Sequence, residues 1–215
     1  LKQKDMDNPK KIIKKLEKEY ESGPFLNARN PFEVLVSTIL SAQCTDKRVN
    51  KVTKVLFNKY KTPESFANIS KDELEKYIYS TGFYRNKAKS IISSAKSILN
   101  EYDGKVPNEM NELLKLRGVA RKTANIVLSS GFNKHEGIAV DTHVKRVSYR
   151  LGLTEHKNPV KIEQDLMKIY PKSKWQEISW LLIEHGRAYC KAPIPTCSNC
   201  FFENNCPKKG VSKFK

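Results

Sequence analysis

The sequence predicts an all-α protein. Three observations carry this. Apolar residues recur at three-to-four spacing in one segment after another, helix-start signals precede several of those segments, and no convincing period-two run marks a strand. At 215 residues the chain makes one or two domains and is long enough to bury a sizeable core. No low-complexity linker interrupts it, so short helices joined by tight polar turns make a helical fold with many local contacts.

The elements follow in order. Lys10 to Tyr20 carries Ile12, Ile13, Leu16 and Tyr20 on one face, with lysine and glutamate on the other. Asn30-Pro31 places a cap residue before a proline at the first helical position. It opens Phe32 to Gln43, which is apolar nearly all round and is therefore expected to be central. Val49, Val52, Leu56 and Phe57 mark the next helix. Thr62-Pro63 is a further cap, and Ser70 to Glu73 reads as a capping box. Ala88, Ile91, Ile92, Ala95, Ile98 and Leu99 mark a long amphipathic helix.

The chemistry centres on Leu116-Arg117-Gly118-Val119-Ala120-Arg121-Lys122-Thr123-Ala124-Asn125. Asn111 to Leu116 reads as a short helical turn. A second helix starts at Arg121, with Ala124, Val127 and Leu128 at helical spacing, and runs to about Gly131. A glycine-containing hairpin thus joins two helices. Gly118 takes a positive φ at low cost, and the amides opening the second helix present the positive end of its dipole. With no acidic residue between Lys115 and Asn133, this is an anion site suited to a nucleic-acid phosphate. Lys122, in the first turn beside Arg121, is under two positive influences that favour a neutral, nucleophilic amine. The plainer alternative is a solvated surface lysine. Ile138-Ala139-Val140 can anchor the backbone ahead of Asp141, which opens the next helix through Val144, Val147 and Leu151. Asp141 has a structural role as an N-cap, and that role does not exclude a catalytic one.

The 40 Lys and Arg residues against 23 Asp and Glu leave a net charge of +17, which argues for a polyanionic partner. No apolar run approaches the length of a membrane span, and the basic N-terminus has no following apolar stretch, so the reading is a soluble intracellular chain. The start at Leu1 rather than Met is read as trimming of earlier residues. A P-loop around Gly118 to Thr123 fails on spacing, because glycine does not directly precede Lys122 and no strand leads into it.

Four cysteines, Cys190, Cys197, Cys200 and Cys206, have six, two and five residues between them, and Cys44 lies far away as a small apolar filler. In an intracellular chain a metal is a better inference than disulfides, and spacing alone leaves zinc and iron-sulfur open. Ser41 to Asp46 breaks the apolar helix with polar residues, which reads as a helix end with Asp46 capping the next helix. Thr81 to Ala88 places Phe83 and Tyr84 on a glycine turn, where aromatics commonly join a satellite core.

Taken together, Leu-x-Gly-x-x-Arg-Lys-Thr-Ala-Asn followed by Ala-Val-Asp-Thr-His resembles the helix-hairpin-helix and aspartate signature of the DNA glycosylase superfamily. Its lysine-containing form resembles endonuclease III, and the cysteine spacing is similar to that family's 4Fe-4S pattern. The resemblance covers nearly the whole chain. It implies a helix-hairpin-helix DNA glycosylase fold of two helical domains with a cleft between them. Residues 24–135 would form a helical barrel domain with the hairpin. Residues 1–23 and 136–215 would form a discontinuous domain ending in the iron-sulfur loop.

The resemblance also implies base excision repair of oxidised pyrimidines and abasic sites in double-stranded DNA. The protein would act as a monomer, cytoplasmic and nucleoid-associated in a prokaryote. Lys122 and Asp141 become catalytic, Cys190, Cys197, Cys200 and Cys206 hold a 4Fe-4S cluster, and Asp46 and His143 line the pocket. DNA contacts fall to Gln43, which enters the duplex where a base has left, Phe83 as a wedge in place of the usual leucine, and Gly118, Ala120, Arg121, Thr123 and Lys191. The chain departs from the pattern at Arg117 and Ala120, which replace proline and a second glycine, and alanine at 120 would be strained if a positive φ is required there. The loop from Cys190 to Cys197 is also less basic than usual, with Lys191 alone. The alternatives are a monofunctional mismatch glycosylase, which usually lacks the lysine, and a non-catalytic cluster-containing DNA-binding module.

Overall fold

The computed structural model describes residues 9–215, so residues 1–8 of the expected discontinuous domain lie outside the described residues. Among the described residues all regular structure is helical. In chain order the helices are α1 (Pro9–Glu19), α2 (Pro31–Ser41), α3 (Asp46–Lys59), α4 (Pro63–Asn68), α5 (Lys71–Ile78) and α6 (Tyr84–Glu101). They are followed by α7 (Met110–Leu113), α8 (Arg121–Ile126), α9 (Thr142–Arg150), α10 (Pro159–Ile169) and α11 (Trp175–Ala188). Short 3-10 turns cover Tyr79–Thr81, Lys172–Lys174 and Cys197–Asn199, and α8 widens into a π segment over Val127–Gly131.

The chain divides into two compact units. One is Pro24–Glu136, and the other joins the described residues up to Gly23 with Gly137–Lys215. In the first unit α2 is buried along nearly its whole length, from Phe32 to Leu40. The core around it takes Val49, Leu56 and Phe57 from α3, Phe66 from α4, and Ile91, Ala95 and Ile98 from α6. Phe66 sits edge-on to Phe32 at 5.2 Å. In the second unit Ile12, Ile13 and Leu16 pack with Val144, Val147, Ile162, Leu166, Ile178, Leu181, Leu182 and Phe202.

Local chemistry sets most helix starts. The Asn30 side chain accepts from the Glu33 amide with Pro31 at the first helical position, as the sequence predicts. The expected capping box forms at Thr62 and Ser65 instead of at Ser70. Ser70 does cap α5, but the Glu73 carboxylate turns away to Lys59 Nζ at 2.7 Å and to Tyr60. The cap of α3 is Thr45, accepting from the Arg48 amide, and Asp46 is the first helical residue. The cap expected of Asp46 is therefore corrected by one position, since adjacent Thr and Asp both favour caps. Helix α2 ends at Ser41, two residues earlier than expected, because Gln43 takes φ +52, which no helix continues.

Candidate DNA-binding and catalytic site

The hairpin is built from two apolar anchors and one glycine. Leu116 and Val119 are buried, and the Val119 amide donates to the Leu116 carbonyl at 3.1 Å. Gly118, the third residue of that turn, stands at φ +81, a region open to glycine. Its missing side chain is also needed for space: a Cβ there would lie 2.8 Å from both Cβ and Oγ of Ser90 on α6. The Ser94 hydroxyl donates to the Arg117 carbonyl at 2.9 Å and fixes the hairpin to the same helix.

Ala120 caps α8 at φ −95 and ψ 170, ordinary extended backbone. The strain considered for alanine there is thus corrected, because Gly118 alone carries the positive φ of this turn. Ala120 offers no side-chain acceptor to the first-turn amides of α8. Arg121 is exposed, Lys122 is half-buried, and Thr123 is buried.

Two further residues singled out in the sequence stand in strained turns of the same unit. Gln43 is exposed at φ +52, and Phe83 is 64% exposed at φ +49, capping α6 without a side-chain bond. Phe83 is therefore outside the core. Beside it the Tyr79 and Tyr84 rings lie 4.9 Å apart, tilted by 52°, and Arg85 lies over the Tyr84 ring at 5.3 Å.

Asp141 and the cysteines belong to the other unit. Asp141 caps α9, accepting from the Val144 amide at 2.8 Å. His143 receives a hydrogen bond from Arg146 at its Nδ1, 3.1 Å away. Burial, opposed by Asp141 and aided by Arg146 and Arg187, holds the His143 pKa below its ordinary value. Gly186 admits this imidazole, since a Cβ there would meet His143 Nδ1 at 2.9 Å.

Among the described residues no group of three or more His, Cys, Asp or Glu side chains is arranged as a metal grip. The donor set nevertheless fits a thiolate-held group. Burial raises the pKa of Cys197, Cys200 and Cys206, the last to about 11, and Cys190 reinforces each shift. Donors face the sulfurs: the Phe202 amide reaches Cys200 and the Lys208 amide reaches Cys206, both at 3.4 Å, and Arg150 reaches Cys190 at 3.6 Å. Thiolates gain more from such donors than thiols do, while Cys206 Sγ also lies 3.4 Å from the Arg150 carbonyl, an acceptor to which a thiol donates.

Arg146 and Arg150 were passed over in the sequence. Arg146 donates to the carbonyls of Cys190 (2.8 Å) and Gly186 (3.0 Å), and Arg150 to that of Lys191 (2.7 Å), so one face of α9 holds the start of the cysteine loop. Their i, i+4 spacing was the available signal. Lys191 itself is exposed. Lys87, just after the Phe83 turn, is a buried lysine at 5% exposure. It shares the buried stripe of Ile91, Ala95 and Ile98, which was legible in the sequence.

The model of the HhH-GPD superfamily of base excision DNA repair proteins matches residues 36–172. Endonuclease III of Synechocystis sp. is 51% identical over 187 residues, 87% of this chain and 85% of the relative. The chain belongs to the endonuclease III family of this superfamily. Two solved structures, a non-covalent endonuclease III–DNA complex and a trapped endonuclease III–DNA covalent intermediate, each align with TM-score 0.88 and 44% identity. Each alignment covers 93% of this chain and 94% of the other. Base excision repair by glycosylase and lyase chemistry, on bound DNA, is the work of this chain. Among the described residues no helix is long and apolar enough to cross a membrane.

Proposed function

We propose that the chain is a bifunctional glycosylase and abasic-site lyase for oxidised pyrimidines, with Lys122 as nucleophile and Asp141 as its charged partner. One observation carries the reading: a half-buried lysine in the first turn of α8, directly after the Gly118 hairpin. Its weight comes from 44% identity to a protein trapped as a covalent intermediate with DNA. Hairpin amides and Arg121 hold phosphate, while Gln43 and Phe83 fill the gap left by an extruded base.

The Lys122 amine attacks the anomeric carbon as the glycosidic bond breaks, and the base leaves with the bonding pair and a proton. Asp141 takes a proton from the attacking amine and offsets positive charge developing on the sugar. Ring opening yields an iminium, which acidifies the neighbouring sugar hydrogen. Loss of that proton expels the 3′ phosphate oxygen, and water then releases Lys122.

Cys190, Cys197, Cys200 and Cys206 would hold a 4Fe-4S cluster, which when bound cross-links the C-terminal loop. The protein acts as a monomer. A duplex with a single thymine glycol tests the reading. Release of the free base together with a strand cut ending in an unsaturated aldehyde is expected, whereas base release without a cut would indicate a monofunctional enzyme.

A further inference from the structure

Lys87 is a buried ammonium that the repair chemistry does not use. Its Nζ donates to the Leu40 carbonyl and to the Thr81 carbonyl, each at 2.8 Å. Leu40 lies in the last turn of α2, where the helix dipole offers its negative end, and Thr81 closes the 3-10 turn after α5. Two carbonyls thus hold a charge whose burial is costly. Burial lowers the pKa of the amine, and nearby Cys44 works against that shift.

The two carbonyls are placed informatively. Leu40 is three residues before Gln43, and Thr81 is two residues before Phe83. Both of those residues occupy left-handed backbone, a state that persists only where surrounding contacts over-determine it. Gln43 sits inside a tight turn closed by Cys44 N to Ser41 O at 3.1 Å, and Phe83 follows one closed by Gly82 N to Tyr79 O at 3.3 Å. The amide of Lys87 donates to the Phe83 carbonyl at 3.1 Å, so Lys87 touches Phe83 through its backbone and, through its side chain, both Leu40, which leads into the Gln43 turn, and Thr81, within the turn before Phe83.

We propose that Lys87 is a positioning residue that ties the Gln43 loop to the Phe83 loop and sets how the two side chains enter the duplex together. The proposal rests on the reading that Gln43 and Phe83 insert. A methionine at 87 would fill the same space yet tie nothing, leaving two buried carbonyls without a donor.

The test uses the full chain and two duplexes, one undamaged and one carrying a tetrahydrofuran abasic analogue opposite 2-aminopurine. Lys87→Met, Lys87→Arg, Gln43→Ala, Phe83→Ala and the Lys87→Met/Gln43→Ala double variant are compared. Lys87→Met is expected to bind the abasic duplex about ten-fold more weakly, with a diminished 2-aminopurine signal and unchanged affinity for the undamaged duplex. Lys87→Arg should recover part of the loss, and the double variant should lose less than the sum of its parts. If Lys87→Met fails to melt cooperatively, Lys87→Gln serves in its place, since it is too short to reach both carbonyls. Native-like abasic binding and signal at position 87, beside impaired Gln43→Ala and Phe83→Ala, overturns the tie. So does an equal loss on both duplexes, which marks a merely structural lysine. Unimpaired Gln43→Ala and Phe83→Ala would instead overturn the insertion reading beneath it.

Discussion

Gly118→Ala should damage the hairpin in two ways that add. Alanine at φ +81 leaves its favoured backbone region at a cost of about 1 kcal/mol. Its Cβ would stand 2.8 Å from Cβ and Oγ of Ser90, where carbon contacts ordinarily sit near 3.5–4.0 Å. Because Ser90 lies on α6, relief means shifting a packed helix, an overpacking cost of about 1–3 kcal/mol. The sum is about 2–4 kcal/mol. Ala120→Gly is the control. Position 120 has ordinary extended backbone, and the slightly better cap made by glycine offsets its looser unfolded chain, so stability should move by less than about 0.5 kcal/mol. Urea unfolding followed by circular dichroism reads stability, and fluorescence anisotropy reads affinity for undamaged duplex. Gly118→Ala should fall in both and Ala120→Gly in neither. A Gly118→Ala variant within about 0.5 kcal/mol of the native protein would refute this account of the turn.

Asp141 separates structure from chemistry. Asp141→Asn keeps a good cap for α9 and should hold stability while lowering base excision about 100-fold or more, whereas Asp141→Ala should also lose about 1 kcal/mol in urea unfolding. His143 gives an acid limb. Its folded pKa lies below the ordinary 6.5, so the unfolded chain takes the proton first. Stability is full above pH 6.5, falls as pH drops below it, and levels once the folded value is passed; His143→Gln should flatten that part of the urea-midpoint profile. Iron and sulfide analysis of the purified protein should return the two elements in equal amounts. Cys197→Ser should lower both together with thermal stability, and zinc in place of iron would overturn the cluster.

What was legible in the sequence was mostly local. Asn30-Pro31 and Thr62-Pro63 start helices because cap and proline act within one turn, and Gly118 was legible because its turn needs a positive φ at one position. Asp46 and Ser70 misled for a related reason: where several capping side chains crowd together, tertiary partners choose among them, as Lys59 and Tyr60 do for Glu73. The helical spacing of Lys87, Arg146 and Arg150 was legible but their roles were not, because their partners are backbone carbonyls, several of them 40 or more residues away, and a carbonyl has no signature in sequence. The π segment at Val127 had no sequence signal either.

Lys122 is expected to form a covalent bond with DNA. Borohydride trapping on a duplex containing one thymine glycol or one abasic site tests it directly, with the native chain beside Lys122→Gln. A stable protein–DNA adduct is expected with the native chain and none with the variant. Tight binding without an adduct on either duplex would contradict it and leave Lys122 as a lysine that grips phosphate.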